Sequence, residues 1–265
     1  VPRSVPYWHV DAFAKHPFTG NQAAVMLLEE WPEDAVLQAI GAENNFAETA
    51  FLVEDTSGEA DWELRWFTPT VEIRLCGHAT LAAGFVMLSG NPDQESVSFR
   101  TRKAGILEVR RAGECHAVGL PAIRPSPGSF PDAVAALGRE PIEVWRHPDA
   151  YNLFLYASEA DVRALQPDFR ALAGLGIDSF IVTAPGEATD IVSRVFVPGS
   201  GVDEDPVTGS AHCVLTPFWT ERLGRNNLTA YQASTRGGHL TCRLDGDRVW
   251  LEGHCVTVAE GRFFL

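Results

Sequence analysis

The sequence predicts an α+β protein made of two similar lobes, each a curled β-sheet around a central helix. Three observations lead there. First, blocks of sequence recur: Phe51-Leu-Val, Arg65-x-Phe67-x-Pro69 and Cys76-Gly77-His78-Ala79 return as Phe180-Ile-Val, Arg194-x-Phe196-x-Pro198 and Thr208-Gly209-Ser210-Ala211. The first two blocks lie 129 residues apart and the glycines 132, so the second copy has three extra residues in a loop. A fixed offset over separated blocks implies repeated topology. Second, the stretches from Gly77 to about Leu88 and from Gly209 to about Leu223 are small or apolar on nearly every side. Such helices are surrounded by other structure rather than lying at a surface. Third, short strand-like segments fill most of the remainder, so two helices are wrapped by many strands.

In chain order, residues 5–13 alternate (Val5, Tyr7, His9, Asp11, Phe13) as a strand does. A loop over His16-Pro-Phe-Thr-Gly-Asn21 leads to a strand from Ala23 to Leu28. Trp31-Pro32-Glu-Asp reads as a helix start with proline near its first position and acids in its first turn, running to about Ile40. Strands follow over 44–53, entered through Glu48-Thr49, and over 62–67. The apolar helix from Gly77 stops at Gly90-Asn-Pro92. Strands near 96–100, 105–111 and 115–119 complete a first lobe, residues 1–122. Four prolines and two serines between Pro121 and Pro131 mark a linker. The second lobe, 123–265, opens with a helix near 131–138 and strands near 142–146 and 151–156. A short helix capped by Ser158 and strands at 179–184 and 190–197 come next. The second apolar helix, from Gly209, is expected to be interrupted or bent at Pro217. Strands near 228–233, 239–244, 248–252 and 255–264 finish the chain, the last of them able to cross back to the first lobe.

At 265 residues the chain is long enough for a large core, and its 45% hydrophobic and 21% charged content are those of a soluble globular protein. The net charge of −14 argues against nucleic acid and against an anionic membrane as partners. It leaves open an anionic small substrate, which responds to the local field of its site. Five cysteines, Cys76, Cys115, Cys213, Cys242 and Cys255, are widely spaced and odd in number. They read as free thiols in a reducing, cytoplasmic setting. No apolar run reaches the length of a membrane span, and the first residues read as a strand rather than a signal peptide. No phosphate-binding glycine loop and no metal-binding HExxH occurs, so neither a metal nor a nucleotide cofactor is expected.

Chemistry concentrates at the two helix starts. In Asp205-Pro206-Val-Thr-Gly209-Ser210, Pro206 pushes Asp205 into an extended conformation and Gly209 permits the turn before the helix. The free N–H groups of a helix start attract an anion such as a carboxylate, though the same residues also suit an ordinary capped loop. Cys76-Gly77-His78 is the counterpart. A helix N-terminus disfavours protonation, so His78 is expected to lean towards neutral. Taken alone His78 is as readily structural as catalytic; the duplication favours function, because it puts a polar side chain at both central helix starts. Glu48 is flanked by Phe46, Ala47, Ala50 and Phe51. Such neighbours desolvate a carboxylate into a competent general acid or base, and the bland alternative is a solvated glutamate at a strand entrance.

Together, Phe18-Thr-Gly-Asn21, Glu48-Thr-Ala-Phe51, Arg65-Trp-Phe-Thr-Pro69, Leu75-Cys-Gly-His-Ala-Thr80 and Asp203-Glu-Asp-Pro-Val-Thr-Gly-Ser210 resemble, in family order and over essentially the whole chain, the PhzF family of phenazine-biosynthesis-like isomerases. The resemblance implies a diaminopimelate-epimerase-like fold with the site between the lobes, cofactor-independent proton transfer and a homodimer. By motif, Glu48 corresponds to the family's acid/base, His78, Asp205 and Ser210 to supporting polar residues, and Gly77 and Gly209 to the turns facing the ligand. Related epimerases carry a cysteine at each helix start. This chain has Cys76 at one and Thr-Gly-Ser at the other, with Cys213 one turn further in, so the thiol pair is broken.

The leading expectation is therefore an isomerase that shifts a proton on a small carboxylate-bearing substrate. Its catalytic residues are Glu48, His78 and Asp205; Gly77, His78, Gly209 and Ser210 bind substrate. Two alternatives stand beside it. One is an epimerase or racemase using Cys76 with Glu48 or Asp205 as second base. The other is a non-catalytic metabolite-binding protein.

Overall fold

A computed structural model describes residues 4–265. The chain divides into two compact units, residues 1–120 with Glu252–Leu265, and Pro121–Leu251. The first unit contains β1 (Ser4–Ala12), β2 (Asn21–Leu27), α1 (Asp34–Asn44), β3 (Glu48–Glu54), β4 (Trp62–Phe67), β5 (Glu72–Ile73), α2 (Gly77–Ser89), β6 (Ser96–Thr101), β7 (Ile106–Ala112) and β8 (Cys115–Pro121). The second has β9 (Ser126–Pro127), α3 (Pro131–Leu137), β10 (Glu143–His147), β11 (Tyr151–Leu155), α4 (Glu159–Ala164), α5 (Phe169–Ala173), β12 (Ser179–Pro185), β13 (Ile191–Val197), β14 (Val202–Asp205), α6 (Gly209–Leu223), β15 (Asn227–Gln232), β16 (Gly238–Asp245) and most of β17 (Arg248–Gly253). The final strand, β18 (Cys255–Phe264), pairs antiparallel with β1 in the first unit.

Strand pairing shows the repeat directly. In the first unit β1–β2 is antiparallel, β2–β3 parallel, β3–β4 antiparallel, β4–β6 parallel and β6–β7 antiparallel. In the second unit β10–β11, β11–β12, β12–β13, β13–β15 and β15–β16 run through the same sequence of senses. Short strands β5 and β14 flank β4 and β13 alike. Registers refine the alignment read from sequence. Phe51 lies opposite Arg65, whereas the residue opposite Arg194 is Val182, not Phe180. The first block is thus offset by two residues in structure. A two-residue slip leaves every side chain on its own face, so the apolar pattern does not reveal it.

The repeated arginines have a structural task. Arg65 donates from Nε and Nη2 to the two oxygens of Glu72 at 2.7 and 2.8 Å, and Arg194 grips Glu204 in the same fork at 2.8 and 2.9 Å. Each guanidinium lies over the phenylalanine two residues on, 5.0 Å from Phe67 and 4.9 Å from Phe196. The fork ties β4 to β5 and β13 to β14, just ahead of each central helix. The three extra residues of the second copy fall between Pro198 and Glu204, where the chain makes a 3₁₀ turn over Pro198–Ser200.

Helix α2 is buried along ten of its thirteen residues and packs on β1, β2, β3, β6, β7 and β18. Gly84 lets it come close: a Cβ there would lie 2.4 Å from Val109 of β7. Helix α6 is likewise buried and packs on β11, β15 and β16. It runs unbroken through Pro217, so of the interruption or bend expected from sequence the interruption is absent. Proline deprives the Cys213 carbonyl of its helical donor, and Ile123 N–H supplies one at 3.0 Å. Other differences are local. Helix α1 begins at Asp34, after Glu33 in an extended conformation, and runs four residues past Ile40 to a left-handed Asn45. The segment around residue 170 holds a short helix, α5, capped by Asp168, which accepts from Ala171 N–H. No helix among the described residues is long and apolar enough to cross a membrane.

Candidate active site

Glu48 is the first residue of β3. The left-handed Asn45 ends α1 and turns the chain, and Asn44 Nδ2 donates to Thr49 Oγ1 at 3.0 Å to fix the entry. In the parallel β2–β3 pair Glu48 stands beside Ala23, so its side chain shares a face with Ala23 and Asn21. His78 is the second residue of α2, 3% exposed. Its Nε2 lies 3.0 Å from Glu48 Oε2. The contact is at ion-pair distance. Both atoms are buried, and beyond each other neither has a polar partner among the described residues. On the other side of the ring, Nδ1 is 3.2 Å from Asn21 Nδ2 and 3.6 Å from Cys76 Sγ.

Burial works against charge on His78, but the negative charges facing it, that of Cys76 when ionised and that of Glu48, raise its pKa well above the ordinary imidazole range. This reverses the expectation from the helix N-terminus, because a carboxylate in contact outweighs a partial helix charge. Burial also pushes the Cys76 thiol up to about 11. At neutral pH Cys76 is therefore a protonated thiol, and Glu48 alone supplies the pull on His78. Glu48, Cys76 and His78 offer ligand-type atoms within 4.8 Å of one another, a spacing that a divalent ion could bridge. The carboxylate and the thiol nevertheless face different ring nitrogens, and the thiol holds its proton, so the arrangement suits proton transfer better than metal binding. The helix start itself carries no side-chain cap, which leaves its N–H groups for an anion.

The residues singled out in the second half form their own cluster. Asp205 ends β14, Thr208 precedes α6, and Gly209 and Ser210 are the first two residues of that helix, again without a side-chain cap. Thr208 Oγ1 donates to Asp205 Oδ2 at 2.5 Å. Gln232, which sequence reading passed over, holds this loop from both sides. Its Oε1 accepts from Thr208 N–H at 2.8 Å and its Nε2 donates to the Asp205 carbonyl at 2.7 Å. His212 was also passed over. It is wholly buried, donates from Nδ1 to the Thr208 carbonyl at 2.8 Å, and is held at a pKa of about 4 by burial. The repeat could have flagged it, since its counterpart Thr80 makes the same bond to the Cys76 carbonyl at 2.5 Å. Cys213 is buried, with its thiol directed at the Gly209 carbonyl, 3.4 Å away.

The structure thus brings Glu48, Gly77 and His78 together in one unit, and Asp205, Gly209 and Ser210 together in the other. Residues 10–261 match the family described as phenazine biosynthesis-like protein. An uncharacterized isomerase of Pseudomonas aeruginosa is 49% identical over 261 residues, covering 98% of each chain. The crystal structure of a PhzF-family phenazine biosynthesis protein from Enterococcus faecalis superposes with a TM-score of 0.91 at 42% identity, covering 99% of this chain and 100% of that one. The fold alone is shared with a hydroxyproline epimerase from Agrobacterium vitis, at a TM-score of 0.59 and 11% identity, covering 99% and 93% of the two chains.

Proposed function

The chain belongs to the phenazine biosynthesis-like family, and from that premise we propose that it is an isomerase which moves a proton on a small carboxylate-bearing substrate, by acid/base catalysis and without a cofactor. The observation that carries the reading is the Glu48–His78 pair, two buried polar atoms 3.0 Å apart that have no polar partner beyond each other among the described residues. A carboxylate held against an imidazole keeps spare lone pairs, which a substrate hydrogen can meet. Glu48 takes a proton from a carbon acidified by a neighbouring alkene or carboxylate. The electron pair left behind moves along the conjugated system, and the same proton returns at a different carbon. No electron or atom is gained, and the double bond changes place. His78 stays against the carboxylate through both steps and balances its charge. The substrate carboxylate is assigned to the uncapped helix starts, at Gly77 and His78 and at Gly209 and Ser210, with Asp205 orienting the reacting hydrogen.

One observation favours the thiol alternative, the 3.6 Å approach of Cys76 Sγ to His78. Against it stand a thiol pKa of about 11 and the replacement of the second thiol position by Thr208. Incubating the protein with small unsaturated and amino carboxylic acids in deuterated water separates the readings. Deuterium incorporation with movement of a double bond supports the isomerase, incorporation with inversion at a stereocentre supports the epimerase, and binding without exchange sinks both. The reading also takes the protein as a homodimer; light scattering that gives the monomer mass at micromolar concentration refutes that part.

A further inference from the structure

The Phe18-Thr-Gly-Asn21 segment is built to an unusual degree for a loop, and the mechanism above gives it no task. Phe18 is held in left-handed backbone (φ 73°), with its N–H on the buried Asp11 carboxylate at 2.7 Å. Thr19 Oγ1 closes back onto the His16 carbonyl at 2.7 Å. Gly20 also has positive φ, 66°, and a Cβ there would lie 2.2 Å from the Ala12 carbonyl oxygen, so only glycine fits. Residues held in sparsely populated backbone persist only where the surroundings demand them. This turn delivers Asn21 to the start of β2, 1% exposed, with Nδ2 3.2 Å from His78 Nδ1. In this orientation the amide N–H2 donates, and the facing nitrogen of a neutral ring accepts. The second group beside Nδ1 is the Cys76 thiol, also a donor while protonated.

We propose that Asn21 is a positioning residue that fixes the tautomer of His78, holding Nδ1 as an acceptor so that the proton of the neutral ring sits on Nε2, beside Glu48. The assignment rests on the proton-transfer reading above. It adds to that reading a direction for the ring proton: towards the carboxylate that does the chemistry, rather than into the wall of the site. The two groups flanking the ring act in opposite senses. Glu48 favours a doubly protonated imidazolium, whereas Asn21 disfavours a proton at Nδ1. The ring thus donates from Nε2 towards Glu48 both as the neutral tautomer and as the imidazolium.

The test needs no substrate. The full-length protein is labelled with ¹⁵N-histidine, the His78 ring is assigned by its loss in His78→Gln, and its two nitrogens are followed against pH. In the wild-type protein the neutral ring is expected to show a protonated Nε2 and a bare Nδ1. In Asn21→Asp an acceptor replaces the donor. The neutral-ring proton should then move to Nδ1, and the titration midpoint should rise by about one unit or more, as it does when a carboxylate faces a base. A neutral wild-type ring protonated on Nδ1 overturns the assignment without any variant, as does an Asn21→Asp protein whose neutral ring keeps the same tautomer. Failure of the isomerase reading is separately visible. A protein that shows the Nε2 tautomer but exchanges no substrate hydrogen keeps the role of Asn21 on the ring and loses the reaction.

Discussion

His212→Thr places in the second helix the residue that the first helix has at the corresponding position, Thr80, whose hydroxyl already makes the equivalent bond to the carbonyl four residues earlier. At neutral pH the exchange removes ring volume from a fully buried site, a loss of about 1–2 kcal/mol for a cavity of some tens of Å³. Acid reverses the comparison. Burial holds His212 at about 4 in the folded protein, against 6.5 unperturbed. The folded state therefore resists a proton that the unfolded state accepts. The stability tied to the neutral ring is complete above pH 6.5 and drains away as pH falls towards 4. Linkage puts the loss at about 2 kcal/mol by pH 5 and about 3 kcal/mol by pH 4. Threonine does not titrate. Urea unfolding followed by tryptophan fluorescence at pH 7.5, 6, 5 and 4 should show the variant less stable at the top of the range and level with or above the wild type at the bottom. Parallel pH profiles for the two proteins would refute the claim that a buried neutral imidazole sits there.

Three further outcomes follow from packing and polar geometry. Gly84→Ala forces a methyl to within 2.4 Å of Val109, so the thermal midpoint should fall by the equivalent of about 1–3 kcal/mol; an unchanged midpoint contradicts the close approach of α2 and β7. A double-mutant cycle on Arg194→Met and Glu204→Leu should return a coupling of about 0.5–3 kcal/mol for the fork, and additive losses contradict it. Gln232→Leu strips the Thr208 N–H and the Asp205 carbonyl of their partner, at a cost of about 1–3 kcal/mol in urea unfolding; a variant as stable as the wild type contradicts the contacts placed at that loop.

The central helices are readable in the sequence because apolar residues on every side leave no other arrangement, and α2 begins at Gly77 as the glycine suggests. Ser158 accepts from Asp161 N–H, so the cap of α4 is readable for the same local reason. What sequence does not reveal depends on distant partners. Pro217 reads as a break because its missing donor is visible, whereas the compensating Ile123 N–H lies ninety-odd residues away. The two-residue slip between β3 and β12 is hidden by the two-residue period of strands. Strands β5 and β14 are too short to show a pattern. At the site, Glu48 and His78 are readable through their motifs. Asn21 stands in a motif too, but its task exists only through a contact with a residue 57 positions on.

The most direct test of the account is solvent-deuterium exchange into a turned-over carboxylic acid by two variants compared side by side. If Glu48 carries the proton, Glu48→Gln keeps ligand binding and loses exchange by about 10²–10⁴ or more, while Cys76→Ser stays within about tenfold of wild type. An active Glu48→Gln protein alongside an inactive Cys76→Ser protein would contradict the account and make the buried thiol, not the carboxylate, the proton carrier.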